Sequence, residues 1–316
     1  MKHLLSLEKL NRSDMEYILN NTMLFKKNRG KETDLFLKNQ VWALLFSKSS
    51  TRTRVSFEVG LRELGADVIF LNAKDIQLGR GEPIKDTARV LGRMVHGAII
   101  RTYAQQEVEE FAAYSNIPTI NALTDDEHPC QILTDIFTFQ EIREPIYAKT
   151  VAFFGDGSSN VANSWLFASS KLGFNLAIAS PANFQPKKNT LIRSGAVEEK
   201  SDNHTKVFKL PSGSRLILTD LIDVAAKDAD LLYTDVWVSM GKEAELETRI
   251  NQLSPYQVNK SVVALAKKGA PVMHCLPAYR GKEIDEETFE ANADAIFTQA
   301  ENRLHTQKSI LRWITL

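Results

Sequence analysis

The chain has 316 residues, 43% hydrophobic and 25% charged, with 39 basic and 39 acidic side chains and a formal net charge of zero. That length allows two ordinary domains, each with its own core. The balanced charge argues against general nucleic-acid binding and against a polybasic membrane anchor. No apolar run approaches a membrane span, and the first residues carry neither a signal nor a transit pattern. Cys130 and Cys275 lie far apart and make no disulfide framework, so the expected location is cytoplasmic.

Residues 3–30 place Leu4, Leu7, Leu10, Met15, Ile18, Leu19 and Met23 at helical spacing. They predict two helices, with Ser13 and Glu16 as a capping box. Val41–Phe46 is an unbroken apolar run and predicts a buried strand. An amphipathic helix follows and ends near Gly65. Between strand and helix, Ser50-Thr51-Arg52-Thr53-Arg54 packs three hydroxyls and two guanidinium groups into five residues. At a helix N-terminus those groups make an anion site, most naturally for phosphate. A capped helix with solvated arginines is the plainer reading of the same five residues. Arg54 falls on roughly the opposite side of the helix from Arg52 and is assigned to packing or a neighbouring carboxylate.

Strands at 66–71, 96–102 and 117–122 alternate with helices at 86–95 and 105–115, and a longer helix opens after His128. A break near 145–150 precedes a second series. It starts at Thr150, with strands near 175–179, 215–218, 230–235, 271–276 and 294–298, and a last helix from Glu301 to Thr315. The polar segment 183–214 has no assigned role. Such alternation implies parallel sheets, whose ligands bind beyond the carboxyl ends of the strands. The polar clusters fall there. The expected fold is α/β: two doubly wound domains, each with a mainly parallel sheet, joined by helices with an interdomain active-site cleft.

Several motifs are ambiguous alone. Gly155-Asp156-Gly157-Ser158-Ser159-Asn160 has Asn where a dinucleotide fingerprint needs its third glycine, and the next strand ends without an acid. Asn160 is left to bind a small ligand or to cap the helix. His274-Cys275-Leu276-Pro277-Ala278-Tyr279-Arg280 spaces Cys and Arg one residue too closely for a nucleophilic phosphatase loop. Cys275 reads as a buried inert thiol or, with His274, as part of a zinc site lacking a second Cys or His nearby in sequence. Asp126 and Glu127 read as first-turn charges rather than metal ligands. Asp235 to Gly241 is either an ordinary loop or a lid over a cationic substrate.

Together, Ser50–Thr53, Gln77-Leu78-Gly79-Arg80-Gly81-Glu82, Arg101-Thr102, His128-Pro129-Cys130-Gln131, Asp235–Gly241, His274-Cys275-Leu276-Pro277 and Glu301-Asn302-Arg303 stand in the order found in one family. Across its whole length the chain resembles the aspartate/ornithine carbamoyltransferases, on the ornithine side. The resemblance implies transfer of a carbamoyl group from carbamoyl phosphate to an amine, with no metal or organic cofactor. It implies a carbamoyl-phosphate domain over 1–147, with the C-terminal helix (about 300–316) packed back on it, and an ornithine domain over 148–299. Ser50, Thr51, Arg52, Thr53 and Gln77 would hold the phosphate, Gln77 reaching across a subunit boundary in a homotrimer or a multiple of it. Arg101, His128 and Thr53 would polarise the carbonyl, and Gln131 would hold the amide nitrogen. Pro129, Cys130, Cys275, Leu276 and Arg303 would complete the carbamoyl-phosphate pocket. Asn160, Asp235, Ser239 and Met240 would bind L-ornithine. Arg101, His128, Asp235 and Cys275 carry the catalytic expectation. Many relatives read Gly-Asp-Gly-Asn-Asn where this chain has a loop one residue longer, which bears on the reach of Asn160.

Overall fold

The computed structural model describes residues 1–316 apart from Glu32, residues 77–80, residues 239–244 and the side chain of Leu246. Gln77, Ser239 and Met240, expected to touch substrate, therefore lie outside the described residues. The chain divides into two compact units, Met1–Phe137 with Glu301–Leu316, and Thr138–Ala300. Both divisions fall within helices, α5 (Pro129–Ile142) and α12 (Ala293–Ile314).

Unit 1 contains α1 (Arg12–Lys27), β1 (Val41–Phe46), α2 (Thr51–Glu63), β2 (Asp67–Asn72), α3 (Ile84–Leu91), β3 (Gly97–Arg101), α4 (Gln105–Ser115) and β4 (Thr119–Leu123). Its sheet runs β2-β1-β3-β4 with every pair parallel. β1 and β3 are buried on both faces, which is why they read as continuous apolar runs. Ala43, Leu45, Ala98 and Ile100 meet Val108 and Phe111 of α4 in one core.

The N-terminal expectation needs correction. There is one helix in this stretch, α1, and Asn11 caps it, its side chain accepting from Asp14 N at 2.8 Å. Ser13 donates to that cap instead of forming a box with Glu16. The residues before Leu10 are not helical: a bridge at Leu4 is followed by a turn at Glu8–Lys9, with Leu10 N donating to Leu7 O at 3.2 Å. Leu4 bridges Ile120 in parallel, donating to Thr119 O and accepting from Asn121 N. Leu4, Leu7 and Leu10 are all buried, so a spacing of three imitated a helix. Glu127 is not a first-turn charge either. It is fully buried and accepts from Leu7 N at 2.8 Å and from Ser6 Oγ, tying down this segment.

Unit 2 contains β5 (Thr150–Phe154), α6 (Asn160–Leu172), β6 (Asn175–Ala179), α7 (Lys188–Ser194), β7 (Val197–Ser201), β8 (Thr205–Lys209) and β9 (Arg215–Thr219). There follow α8 (Ile222–Ala226), β10 (Leu231–Thr234), α9 (Leu246–Leu253), α10 (Lys260–Val263), β11 (Val272–His274) and α11 (Glu286–Ala291). Its sheet runs β11-β10-β5-β6-β9-β8-β7. The strands from β11 to β9 pair in parallel, and β8 and β7 are added antiparallel. Segment 183–214 thus supplies α7, β8 and the edge strand β7. The strand expected at 294–298 is absent: those residues open α12. Among the described residues no helix is long and apolar enough to cross a membrane.

One contact inside unit 1 fixes the spacing of its sheet. Trp42 pairs with Gly97 in register, and a Cβ on Gly97 would lie 2.4 Å from the Trp42 ring. Gly97→Ala therefore overpacks a full core, and we expect a stability loss of roughly 1–3 kcal/mol. Urea denaturation reads it; an unchanged midpoint would sink the packing assignment.

Candidate active site

In unit 1 the chain leaves β1 at Phe46 and enters α2 at Thr51. Ser47 N donates to Arg101 O at 2.8 Å, which holds the ends of β1 and β3 together. Lys48 is buried, paired with Asp125 and stacked 4.3 Å from the Tyr103 ring centroid. Ser50 caps α2, its Oγ accepting from Thr53 N at 3.3 Å. No acidic residue stands in the first turn, so nothing there offsets the positive end of the helix. Arg52 is half-buried, whereas Arg54 bonds Glu58 at 2.8 Å and lies over the Phe70 ring. Arg54 is thus occupied on the other side, as its helical position predicts.

Three further side chains converge on this helix start. Arg303 of α12 donates from Nη2 to Thr53 Oγ1 at 3.2 Å and from Nη1 to Gln131 Oε1 at 2.5 Å. A hydroxyl that accepts from a guanidinium keeps its own proton to give to a ligand. Arg101 ends β3, and His128 immediately precedes α5; both are buried. Burial holds the His128 imidazole well below its usual pKa, and the nearby charges of Arg303 and Arg101 push it further down. His128 is therefore neutral near pH 7 and able to donate one N–H. Pro129 and Cys130 are buried beside it. The Cys130 thiol faces the Asn121 carbonyl at 3.5 Å and is pushed up to about 12 by burial, so it is not a nucleophile.

Because the folded state resists protonating His128, the unfolded chain takes up the proton first. Stability is then lost as pH falls below the ordinary value of 6.5 toward the depressed one. His305 and His3 act in the same sense. We expect stability below pH 6.5 to fall less steeply in His128→Gln, by up to about 1.4 kcal/mol per pH unit. Parallel curves for the two proteins would show that His128 is not buried neutral.

In unit 2, β5 runs into the loop Gly155–Ser159. Gly155 has φ +117°, and a Cβ there would press on Trp237 at 3.2 Å. Ser159 rather than Asn160 caps α6, accepting from Ala162 N at 3.2 Å. Asn160 stands at the first position of the helix. Asp156 is buried against Arg249, which also donates to Trp237 O at 2.7 Å. This buried ion pair was not legible as such: Arg249 follows Asp156 by 93 positions.

Beyond β10, Asp235 Oδ1 accepts from Cys275 Sγ at 3.0 Å and from Val236 N at 2.8 Å. Burial raises the Asp235 carboxyl; the His274 ring, the Cys275 thiol and the Val236 N–H oppose that, and Glu283 adds to it. Cys275 is half-exposed, not the buried inert thiol of the plainer reading. Leu276 follows with φ +59° and a cis bond to Pro277. Asp235, His274 and Cys275 bring their ligand atoms within 4.8 Å of one another. A metal would nevertheless have to displace existing bonds. His274 Nδ1 accepts from Leu276 N at 2.8 Å, and Nε2 meets the buried Glu283 at 3.2 Å.

Comparisons with known proteins cover nearly the whole chain. Residues 2–141 match the family model described as the aspartate/ornithine carbamoyltransferase carbamoyl-P binding domain, and residues 148–314 match the Asp/Orn binding domain. The chain is 51% identical over 313 residues to an ornithine carbamoyltransferase of Akkermansia muciniphila, covering 98% of this chain and 97% of that one. It is 46% identical to one from Campylobacter fetus subsp. fetus, covering 99% and 98%. Among solved structures, the anabolic ornithine carbamoyltransferase of Campylobacter jejuni superposes with a TM-score of 0.89 at 38% identity, covering 100% and 99%. That of Pyrococcus furiosus gives 0.87 at 39%, covering 98% and 96%. The chain belongs to the aspartate/ornithine carbamoyltransferase family.

Proposed function

We propose that the chain is an ornithine carbamoyltransferase, moving the carbamoyl group of carbamoyl phosphate to the δ-amine of L-ornithine to give citrulline and phosphate. The observation that carries this reading is the convergence of Thr53, Gln131 and Arg303, with Arg101 and neutral His128, on an acid-free helix start. It offers a dianion cationic and N–H partners, and offers a carbamoyl group both donors and an acceptor. Ser50, Thr51, Arg52 and Thr53 take the phosphate; Arg101, His128 and Thr53 take the carbonyl oxygen; Gln131 takes the amide nitrogen. Asn160 and Asp235 of unit 2 take ornithine, with Ser239 and Met240, and Cys275 and Leu276 close the remaining lining.

The chemistry follows from charge. The δ-amine is cationic in water, with a pKa near ~10.4 if lysine is its model, and must lose a proton to attack. Asp235, bonded to the Cys275 thiol, orients the cation; the first proton leaves to solvent, giving the neutral amine. Its lone pair forms the C–N bond, and the carbonyl oxygen gains negative charge that Arg101 and His128 stabilise. The C–O bond to phosphate then breaks. Phosphate keeps the electron pair and is able to take the second proton from nitrogen.

The acceptor panel tests this reading. Ornithine, N-acetylornithine and putrescine are offered with carbamoyl phosphate, and ureido product is measured. Ornithine is expected to be best by a wide margin, because putrescine lacks the α-carboxylate and α-ammonium and N-acetylornithine lacks the latter charge. An equal or greater rate with putrescine would reassign the acceptor. No product with any amine would mark a silent homologue that only binds carbamoyl phosphate.

A trimer, or a multiple of it, belongs to the same proposal. Val55 of α2, Ile69 of β2, and Val90 and Met94 at and after α3 are exposed apolar side chains of unit 1, available to a subunit contact. Light scattering is expected to give the mass of three chains or a multiple. A cytoplasmic location fits two cysteines kept as thiols.

A further inference from the structure

Gln131 and Asp135 stand one turn apart on α5, and both are almost wholly buried. Gln131 Nε2 donates to Asp135 Oδ1 at 2.7 Å, while its Oε1 accepts from Arg303 Nη1 at 2.5 Å. A side-chain amide is ambiguous by shape, because its oxygen and nitrogen ends are nearly the same size. Here the partners remove the ambiguity. A guanidinium only donates and a carboxylate only accepts. Turning the amide over would set N–H against N–H and oxygen against carboxylate in a buried place, which leaves four groups unsatisfied at once.

We infer that Asp135 is a positioning residue that locks the Gln131 amide with its oxygen toward the carbamoyl nitrogen, and thereby makes the site select a phosphoryl donor bearing N–H. The inference rests on the reading of unit 1 as the carbamoyl-phosphate site. Asp135 need not touch substrate. The Gln131 oxygen has a second lone pair, and an N–H of the carbamoyl group fits it. Acetyl phosphate has the same phosphate and carbonyl but a methyl at that place, so it leaves the lone pair unmet. A carboxyl group there would turn an oxygen toward an oxygen.

The test compares two ligands that differ only at that atom. The KM for carbamoyl phosphate and the competitive Ki of acetyl phosphate are measured for the parent, Asp135→Leu and Asp135→Asn. Asp135→Leu is expected to raise the KM for carbamoyl phosphate about tenfold while the Ki of acetyl phosphate stays within about twofold. Asp135→Asn keeps the volume and one acceptor oxygen, and is expected to lie between the two; it also serves if the Leu variant does not fold. Both constants rising together would reduce Asp135 to a packing role. Neither constant moving would overturn the lock. Gln131→Met separates the layers of the argument. If it lowers the preference for carbamoyl over acetyl phosphate and the Asp135 variants do not, only the lock is wrong. If Gln131→Met also leaves the preference unchanged, the placement of the carbamoyl nitrogen is wrong.

Discussion

Arg52→Ala is expected to lower kcat/KM for carbamoyl phosphate by about 10²–10³ while leaving the fold intact. The reason lies in where Arg52 stands. It occupies the second position of α2, next to the Ser50 cap, and is half-buried, so its removal empties no core. Its charge adds to a helix terminus that has no acidic residue to offset it. Phosphate is both the group that anchors the donor and the leaving group. Lost cationic support should therefore raise the KM for carbamoyl phosphate and lower kcat together. Arg54→Ala is the control, since Arg54 is spent on Glu58 and Phe70. Loss of activity in Arg54→Ala with none in Arg52→Ala would reverse the assignment. Unchanged kinetics in Arg52→Ala would remove phosphate from this helix start.

The second large effect is expected in unit 2. Asp235→Asn keeps the shape of the side chain and an oxygen for the Cys275 thiol and Val236 N–H, and loses only the charge. We expect kcat/KM for ornithine to fall about 10²–10³, with the KM for carbamoyl phosphate within about threefold. Cys275→Ser leaves a donor to Asp235 and is expected to lose no more than about tenfold. The raised pKa of Asp235 carries a sign as well. Acid protonates it at a higher pH than an ordinary carboxyl, so ornithine turnover should decline earlier on the acid side than for a solvent-exposed Asp. If Asp235→Asn damaged carbamoyl-phosphate kinetics as much as ornithine kinetics, the division of labour between the units would be wrong.

The first sheet was legible because β1 and β3 are buried on both faces and show it as unbroken apolar runs. β7 was not, since Val197-Glu198-Glu199-Lys200-Ser201 is exposed at every position and has no apolar face to alternate. The run Ala295-Ile296-Phe297 looked like a strand because three apolar residues fit either period; only length separates the two, and the helix extends to Ile314. In the site, the hydroxyls and arginines after β1 were readable from their density and their place between strand and helix. The carboxylates were harder. Glu127 stands where a first-turn charge would, yet it anchors the N-terminal segment from a buried position. Asp135 stands one turn beyond Gln131 in an apolar helix, a spacing that makes the two neighbours, but its complete burial and its bond to the Gln131 amide are not visible in the pattern. Asp156 and Arg249 are partners that no local pattern joins.

The central claim is most directly tested by following carbon. Carbamoyl phosphate labelled with ¹³C at the carbonyl is mixed with L-ornithine and the purified protein, and the label is traced by NMR against a protein-free control. The label is expected to move into the δ-ureido carbon of citrulline with equimolar release of phosphate, at a rate that Arg52→Ala and Asp235→Asn each depress strongly. Label appearing in citrulline no faster than in the control would contradict the account.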